Sequence, residues 1–153
     1  MELYIKNASK NDIPEIAEIE KLCHARPWDE KAFNVELSKY FSGLSFFFTA
    51  RDKNTEKVLG YALADKIADY VHISNVAVSP EFRRQGIAAA LLKQIERQAF
   101  SAGLSSLTLE VRDNNEAAIC IYKKFGYEVK GKRPRFYEDK YDLALDYCNK
   151  AIN

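Results

Sequence analysis

A glycine-containing segment with two arginines, Arg83-Arg84-Gln85-Gly86-Ile87-Ala88, follows a strand-like run at residues 73–78. Its position predicts a helix start, where the first backbone N–H groups have no intrahelical partner and carry the positive end of the helix dipole. Gly86 has no Cβ, so a phosphate can approach the main chain, and the two arginines add positive charge. Taken alone, however, an ordinary helix N-terminus with a solvated arginine pair is the simpler interpretation.

Glu110 and Tyr122 have the chemistry of a proton acceptor and a proton donor. Glu110 lies on the polar phase of an apolar strand pattern, and this alternation alone favours a solvent-facing carboxylate. As a general base it could take the proton of an α-amino group, whose pKa is about 8. Tyr122 shares a helix face with Ala118 and Phe125, so it is either a core tyrosine or a proton donor to a leaving group such as a thiolate.

Composition restricts the class of protein and of ligand. A chain of 153 residues with 47% hydrophobic and 29% charged residues predicts one soluble globular domain over residues 1–153. The net charge of +1 provides no general attraction to nucleic acid or to an anionic membrane, so we expect neither as a direct partner. Three widely spaced cysteines and an N-terminus that reads as a strand favour the cytoplasm. The two histidines lack neighbours for a metal cluster, and we expect no metal site.

Hydrophobic periodicity predicts the order β-α-α-β-β-β-α-β-α-β-β, which makes a mixed α/β sheet. Asn11 or Asp12 can cap the first helix, which ends before Pro27, and Gly103 and Gly126 can terminate the third and fourth helices. The predicted helices cover residues 13–22, 29–40, 86–102 and 115–125, and the predicted strands cover residues 1–6, 45–50, 58–64, 72–78, 107–112, 127–130 and 141–147.

Residues 75–88 resemble the acetyl-CoA motif of the GNAT N-acetyltransferase superfamily, whose short form is Arg/Gln-x-x-Gly-x-Gly/Ala. Residues 109–127, with Glu110, Asn115, Tyr122 and Gly126, are similar to the second half of that domain. The resemblance covers nearly the whole chain. It implies the acyl-CoA N-acyltransferase fold, a central and mostly antiparallel sheet flanked by helices, and acetyl-CoA as the cosubstrate. Ala88 stands in place of the second motif glycine, a substitution that the family tolerates.

The same resemblance implies a role for each site residue. Glu110 is the expected proton acceptor and Tyr122 the expected proton donor, with direct attack of the amine on the thioester. Cys120 could suggest an acyl-enzyme instead, but we interpret it as an apolar packing residue. The expected acetyl-CoA contacts are Val76, Ala77, Val78 and Asn115 along the pantetheine arm and the main-chain amides of Arg84, Gln85, Gly86, Ile87, Ala88 and Ala89 around the pyrophosphate.

Within the superfamily, residues 24–33 and 109–112 resemble the RimI type, the ribosomal-protein N-terminal-alanine acetyltransferases. This likeness implies that Pro27, Trp28 and Tyr137 contact the acceptor, although Trp28 could equally be a core anchor. The likeness implies that residues 130–137 form a loop that shapes the acceptor groove, and this segment departs from the RimI type in being more basic and in containing Pro134.

A protein N-terminus, with a ribosomal protein as the first candidate, is therefore the expected acceptor. A lysine side chain, a polyamine or another small amine remains an alternative within the same enzyme class. A catalytically silent CoA-binding or ribosome-associated module is an alternative of another class, and the presence of both Glu110 and Tyr122 argues against it. The sequence leaves the oligomeric state open.

Overall fold

A seven-stranded sheet forms the centre of the protein in the computed structural model, which describes residues 1–112, 115–134 and 143–149. Its strand order is β1-β2-β3-β4-β5-β7-β6, and every neighbouring pair is antiparallel except β4 with β5. A mixed and mostly antiparallel sheet was predicted, and it is confirmed. The strands are β1 (Leu3–Asn7), β2 (Ser45–Asp52), β3 (Val58–Ile67), β4 (Tyr70–Val78), β5 (Ser106–Arg112), β6 (Glu128–Pro134) and β7 (Leu143–Asn149).

Four helices flank the sheet, in the predicted order: α1 (Ile13–Cys23), α2 (Glu30–Phe41), α3 (Ile87–Ser101) and α4 (Glu116–Lys124). Capping residues mark the start of α2 and the end of α3. The Asp29 carboxylate accepts from the Ala32 amide at 2.9 Å at the start of α2, and Gly103 follows α3 with a φ of +77°. Among the described residues, none of the helices combines the length and the apolar character that crossing a bilayer requires.

The sheet buries a separate apolar core on each face. We call these the α3/α4 face, where those two helices pack, and the α1/α2 face. Ile87, Leu91, Ile95 and Ala99 of α3 recur every four residues and are all buried on the first face. On the second face, Phe33 lies 5.4 Å from Tyr61, ring centre to ring centre, in an edge-to-face contact.

Strand β6 is longer than the sequence predicted. It continues to Pro134, so residues 130–134 of the segment expected to be a loop at residues 130–137 belong to a strand. Within the described part of the chain, β6 pairs only with β7 and forms an edge of the sheet. Lysine and proline residues are common on edge strands because they discourage pairing with other chains, which explains why the composition of this strand resembled a loop.

A β-bulge at Ser74 changes the phase of β4. The register passes from Ala64↔Ile73 to Leu63↔Asn75, so Ser74 is an extra residue on β4. Before the bulge, Ile73 packs on the α3/α4 face, and after it Asn75 lies on the opposite face. Among the described residues, the pairing of β4 with β5 ends at Ile73, and the last residues of β4 have no partner strand on that side. We call the region between the unpaired ends of the two strands the cleft.

Gly60 on β3 allows close packing beside this cleft. A Cβ at this position would lie 2.7 Å from the carbonyl oxygen of Ala77 and 3.4 Å from a methyl group of Ile87. Both neighbours belong to segments that border the cleft, the end of β4 and the first turn of α3. The absence of a side chain at Gly60 thus lets the helix start lie directly against the sheet.

Candidate active site

The open edge of β4 presents main-chain hydrogen-bonding groups to the cleft. The Ser79 amide donates to the Leu59 carbonyl at 2.8 Å, so the pair that contains Val78 is a non-hydrogen-bonded pair of the β3–β4 ladder. Because the pattern alternates, the N–H and C=O groups of Val76 and Val78 face the cleft, whereas those of Ala77 face β3. Of the three residues predicted to bind pantetheine through the main chain, Val76 and Val78 therefore have the suitable orientation.

Arg83 is exposed and also contacts the end of β4. Its Nε donates to the Val78 carbonyl at 3.3 Å, and its Nη2 lies 3.3 Å from Cys23 Sγ. Cys23 Sγ also approaches the Val78 carbonyl at 3.4 Å. The Arg83 guanidinium thus contacts β4 and α1 but stays exposed, and both arginines remain candidates to supply charge to an anion.

The segment before α3 has the geometry of an anion-binding helix start. The first bond of the helix runs from the Ala90 amide to the Gly86 carbonyl at 3.0 Å, so the amides of residues 87–89 precede the intrahelical ladder. Gly86 has a φ of +79°, and a Cβ there would meet nothing within 4 Å. Arg84 has a φ of +61°, a conformation that costs a non-glycine residue about 1–3 kcal/mol.

Glu110 faces a histidine that the sequence analysis did not assign to the site. His72 Nε2 lies 2.7 Å from Glu110 Oε2, and His72 Nδ1 lies 2.7 Å from Thr108 Oγ1. The Glu110 side chain is only 15% exposed, so its interpretation as a plain solvent-facing carboxylate is wrong. Since Leu109 and Val111 are buried in the core of the α3/α4 face, Glu110 and His72 lie on the α1/α2 face.

The parallel register of β4 and β5 brings this histidine to Glu110. His72 stands opposite Thr108, two positions before Glu110 on the same face of β5. The parallel direction of β4 and β5 could have been predicted from the sequence, because two strands joined by a helix usually run parallel. The register itself, however, depends on tertiary packing and does not follow from composition.

Tyr122 and Asn115 lie in and before α4. Tyr122 is half-buried, packs against the core of the α3/α4 face and contacts Tyr127 edge-to-face at 5.7 Å between ring centres. Asn115 caps α4, where its Oδ1 accepts from the Ala118 amide at 3.2 Å. Its amide group Nδ2 is the end that can donate to a ligand.

The predicted acceptor residues occupy the connection between α1 and α2. Pro27 is exposed, and Trp28 is half-buried with its ring 5.5 Å from that of Phe33. Trp28 therefore has the packing role of a core anchor and also borders the α1/α2 face. Tyr137 lies outside the described residues.

The interpretation of Cys120 as a packing residue is wrong, because the structure places this side chain in an exposed position. The face of α4 that packs on the sheet follows the helical period and carries the neighbours of Cys120 on either side, Ile119 and Ile121.

The sequence profile of the acetyltransferase (GNAT) family matches residues 13–127 of the chain. The chain belongs to this family. Among its relatives, the [ribosomal protein bS18]-alanine N-acetyltransferase of Escherichia coli K12 is 32% identical over an alignment of 147 positions, which covers 92% of this chain and 95% of the relative. The GNAT fold and N-acetyltransferase activity that the sequence implied are thus confirmed.

Solved structures agree with this GNAT assignment. The crystal structure of the ribosomal-protein-S18-alanine N-acetyltransferase from Escherichia coli superposes with a TM-score of 0.87 at 27% identity, over 99% of this chain and 95% of the other. Ard1 from Thermoplasma volcanium has a TM-score of 0.89 at 22% identity and full coverage of both chains, which shows the same fold.

Acetyl-CoA is the cosubstrate of the GNAT family, and the described residues fit it. The open edge of β4 can pair with the amide groups of a pantetheine arm, and the main chain around Gly86 leaves space for a pyrophosphate. The 15-residue length of α3 gives this helix start a full dipole. The predicted cosubstrate is confirmed.

Proposed function

We propose that this protein acetylates the N-terminal amine of a protein, with an N-terminal alanine of a ribosomal protein as the first candidate acceptor. The observation that carries the proposal is the similarity, over more than nine-tenths of both chains, to an enzyme named for that substrate. A cytosolic location accords with such an acceptor.

In this proposal the two substrates approach from opposite faces of the sheet. The helix start that suits a pyrophosphate belongs to α3, whose buried residues pack on the α3/α4 face. Glu110 and the connection between α1 and α2 lie on the other face, where an acceptor can approach. The cleft between β4 and β5 is the passage through which the two substrates meet.

In this proposal Glu110 removes the proton that prevents the acceptor amine from attacking. An α-amino group has a pKa of about 8, so most of it is protonated at neutral pH. The contact with His72 at 2.7 Å holds the Glu110 carboxylate in one orientation, and Thr108 in turn fixes the histidine ring. His72 is therefore a positioning residue for the base.

The leaving group is the second requirement of the reaction. Acetyl-CoA supplies the acetyl group as a thioester. Val76 or Val78 can donate a main-chain N–H to the thioester carbonyl from the open edge of β4. Tyr122 donates a proton to the departing sulfur, whose pKa of about 8.5 makes a phenol an adequate acid.

The acceptor is tested with a panel of amines in a single acetylation assay. We expect peptides that begin with alanine, including the N-terminus of ribosomal protein bS18, to react with a kcat/KM about 100-fold or more above that of free lysine or a polyamine, because only a peptide fills a groove built for a chain terminus. Mass spectrometry locates the acetyl group. Preferential acetylation of a lysine side chain or a polyamine would contradict the proposal.

Gly86→Val tests the cosubstrate site. A β-branched residue does not adopt a φ of +79°, and its side chain would occupy the space expected for the pyrophosphate. We expect the Kd for acetyl-CoA, measured by calorimetric titration, to rise about tenfold or more, the equivalent of one lost charge-assisted hydrogen bond.

Gly43→Val is the matched control for this change. Gly43 follows α2 with a φ of +78°, and a Cβ there also meets nothing within 4 Å, so the backbone strain is comparable. We expect Gly43→Val to lower the melting temperature without changing the Kd. A similar Kd in both variants and the wild type would exclude the main chain around Gly86 as the binding site.

A further inference from the structure

Glu20, near the end of α1, is a buried carboxylate that accepts from several groups at once. It is 2% exposed, and Tyr61 donates its hydroxyl to Oε1 at 2.6 Å. Asn75 Nδ2 donates to the same oxygen at 3.2 Å, His24 Nε2 lies 3.1 Å from it, and the Trp28 amide donates to Oε2 at 3.1 Å. We call these five residues the Glu20 network.

The chemistry of the partners matches an ionised carboxylate. Each of them brings an N–H or O–H to Glu20, and a carboxylate has about four sites that accept. Burial raises the pKa of the Tyr61 hydroxyl, and the hydrogen bond to Glu20 raises it further, so the phenol keeps its proton. Asn75 Nδ2 also donates to the Tyr61 oxygen at 3.1 Å, which closes a ring of three hydrogen-bonded side chains.

The network joins the two borders of the acceptor face. Through the Trp28 amide it holds the connection between α1 and α2, which contains the predicted acceptor residues. Through Asn75 it reaches β4 immediately after the bulge at Ser74, where the cleft begins. Glu20 itself has no part in the mechanism proposed above.

Packing alone does not account for a buried carboxylate at position 20. Replacing a buried ionic group with apolar side chains is often neutral or stabilising, so packing alone does not require Glu20. A fully satisfied polar network instead holds its members in one arrangement.

We propose that Glu20 is the positioning residue of the acceptor groove, because it holds the Trp28 connection and the Asn75 edge of β4 at a fixed separation. The proposal rests on the proposed function, since it assigns this groove to a peptide acceptor. Glu20 acts through Trp28 and Asn75 and takes no part in the chemical step.

The test replaces Glu20 with glutamine and compares this variant with Glu15→Gln. In Glu20→Gln, one oxygen can still accept from Tyr61, but the new amide group opposes the Trp28 N–H as donor against donor. Glu15 is a matched control, since it also lies on α1 and accepts a backbone amide, that of Val58, at 3.1 Å. Steady-state kinetics with the best peptide of the panel give KM and kcat, and titration gives the Kd for acetyl-CoA.

We expect Glu20→Gln to raise the KM for the peptide about tenfold, the equivalent of one lost hydrogen bond to a charged group. We expect kcat within about threefold of the wild type and an unchanged Kd for acetyl-CoA, because neither Glu110 nor the helix start of α3 belongs to the network. Glu15→Gln should change none of these values. An unchanged peptide KM in folded Glu20→Gln would overturn the proposal.

Trp28 provides a second readout that does not depend on activity. It is the only tryptophan of the chain, so its fluorescence reports on the connection between α1 and α2 alone. We expect faster acrylamide quenching of Trp28 in Glu20→Gln and none of this change in Glu15→Gln. Equal quenching in all three proteins would also overturn the proposal.

Two further comparisons keep the outcome unambiguous. If Glu20→Gln does not fold, Tyr61→Phe removes the 2.6 Å hydrogen bond at nearly constant shape and should produce smaller changes in the same KM and quenching. Failure of the proposed function appears in the wild type, as the absence of peptide acetylation. Failure of the Glu20 proposal appears only in the variants, against an active wild type.

Discussion

Glu110→Gln is expected to lower kcat about 10²- to 10⁴-fold, the usual contribution of a general base. Glutamine has nearly the shape of glutamate and can still accept from His72, but it cannot take a proton from the amine. The Kd for acetyl-CoA should stay within about twofold of the wild-type value, since Glu110 lies on the α1/α2 face, away from the helix start of α3. Single-turnover acetylation and equilibrium titration measure the two quantities separately.

Glu116→Gln is the control for this experiment. Glu116 is an exposed carboxylate in the first turn of α4, six residues further along the chain. Its replacement removes the same charge from α4, which packs on the α3/α4 face, and should leave kcat unchanged. If Glu110→Gln retained wild-type turnover, Glu110 would not be the base, and the base would have to be another group on the acceptor face.

Arg51→Met is expected to lower the free energy of unfolding by about 3–5 kcal/mol, the typical cost of breaking a buried ion pair from one side. Arg51 and Asp12 form a salt bridge in which both side chains are 7% exposed. Arg51 also donates to Thr49 Oγ1 and to the Glu56 carbonyl, each at 3.1 Å. Urea denaturation measures the change, and Lys21→Met, which breaks the exposed pair with Glu18, should have little effect.

The difference in unfolding free energy between Arg51→Met and the wild type should depend on pH if the charge of Asp12 is responsible for it. Burial by itself would raise the pKa of Asp12, but hydrogen bonds from Arg51 and from the Ser9 amide, together with the Arg51 charge, hold it below its ordinary value. The wild type therefore gains stability from Asp12 above the unfolded-state pKa of about 3.9 and loses it as the pH falls through the lower folded value.

Without Arg51, the folded pKa of Asp12 rises, because burial is then opposed mainly by the hydrogen bonds from Ser9. The variant therefore loses less stability than the wild type as Asp12 is protonated. We expect the gap between the two proteins to narrow as the pH falls from 6 to about 3. A gap that did not change with pH would assign the effect to lost packing of the arginine side chain instead.

The order of the elements could be predicted because local pattern and tertiary structure agree in this chain. The apolar residues of α3 recur at the helical period and are those that the core buries, and Asp29 and Gly103 mark helix ends by chemistry visible in the sequence. The candidate anion-binding segment around Gly86 could also be predicted from the sequence, since the conformational freedom of glycine is a property of the residue type.

The polar contacts of the site could not be predicted in the same way. Glu20 meets Tyr61 across 41 residues and Asn75 across 55, and both contacts require the packing of α1 on a particular register of β3 and β4. His72 reaches Glu110 only because the parallel ladder places it opposite Thr108. The bulge at Ser74 adds one residue to a strand, and a serine in that position has no distinctive pattern.

The open edge of β4 affects how the acetyl-CoA half and the acceptor half of the site can change between related proteins. In this proposal the acetyl-CoA half consists of peptide groups of Val76, Val78 and the start of α3, which every amino acid except proline provides in full. Substitutions that preserve the backbone path and its N–H groups are therefore expected to preserve recognition of acetyl-CoA. The acceptor half consists of side chains, and each exchange there alters what can bind. One scaffold can thus keep a single acyl donor while it changes acceptors, and a scan of all substitutions should find β4 tolerant of apolar exchanges where the Glu20 network is not.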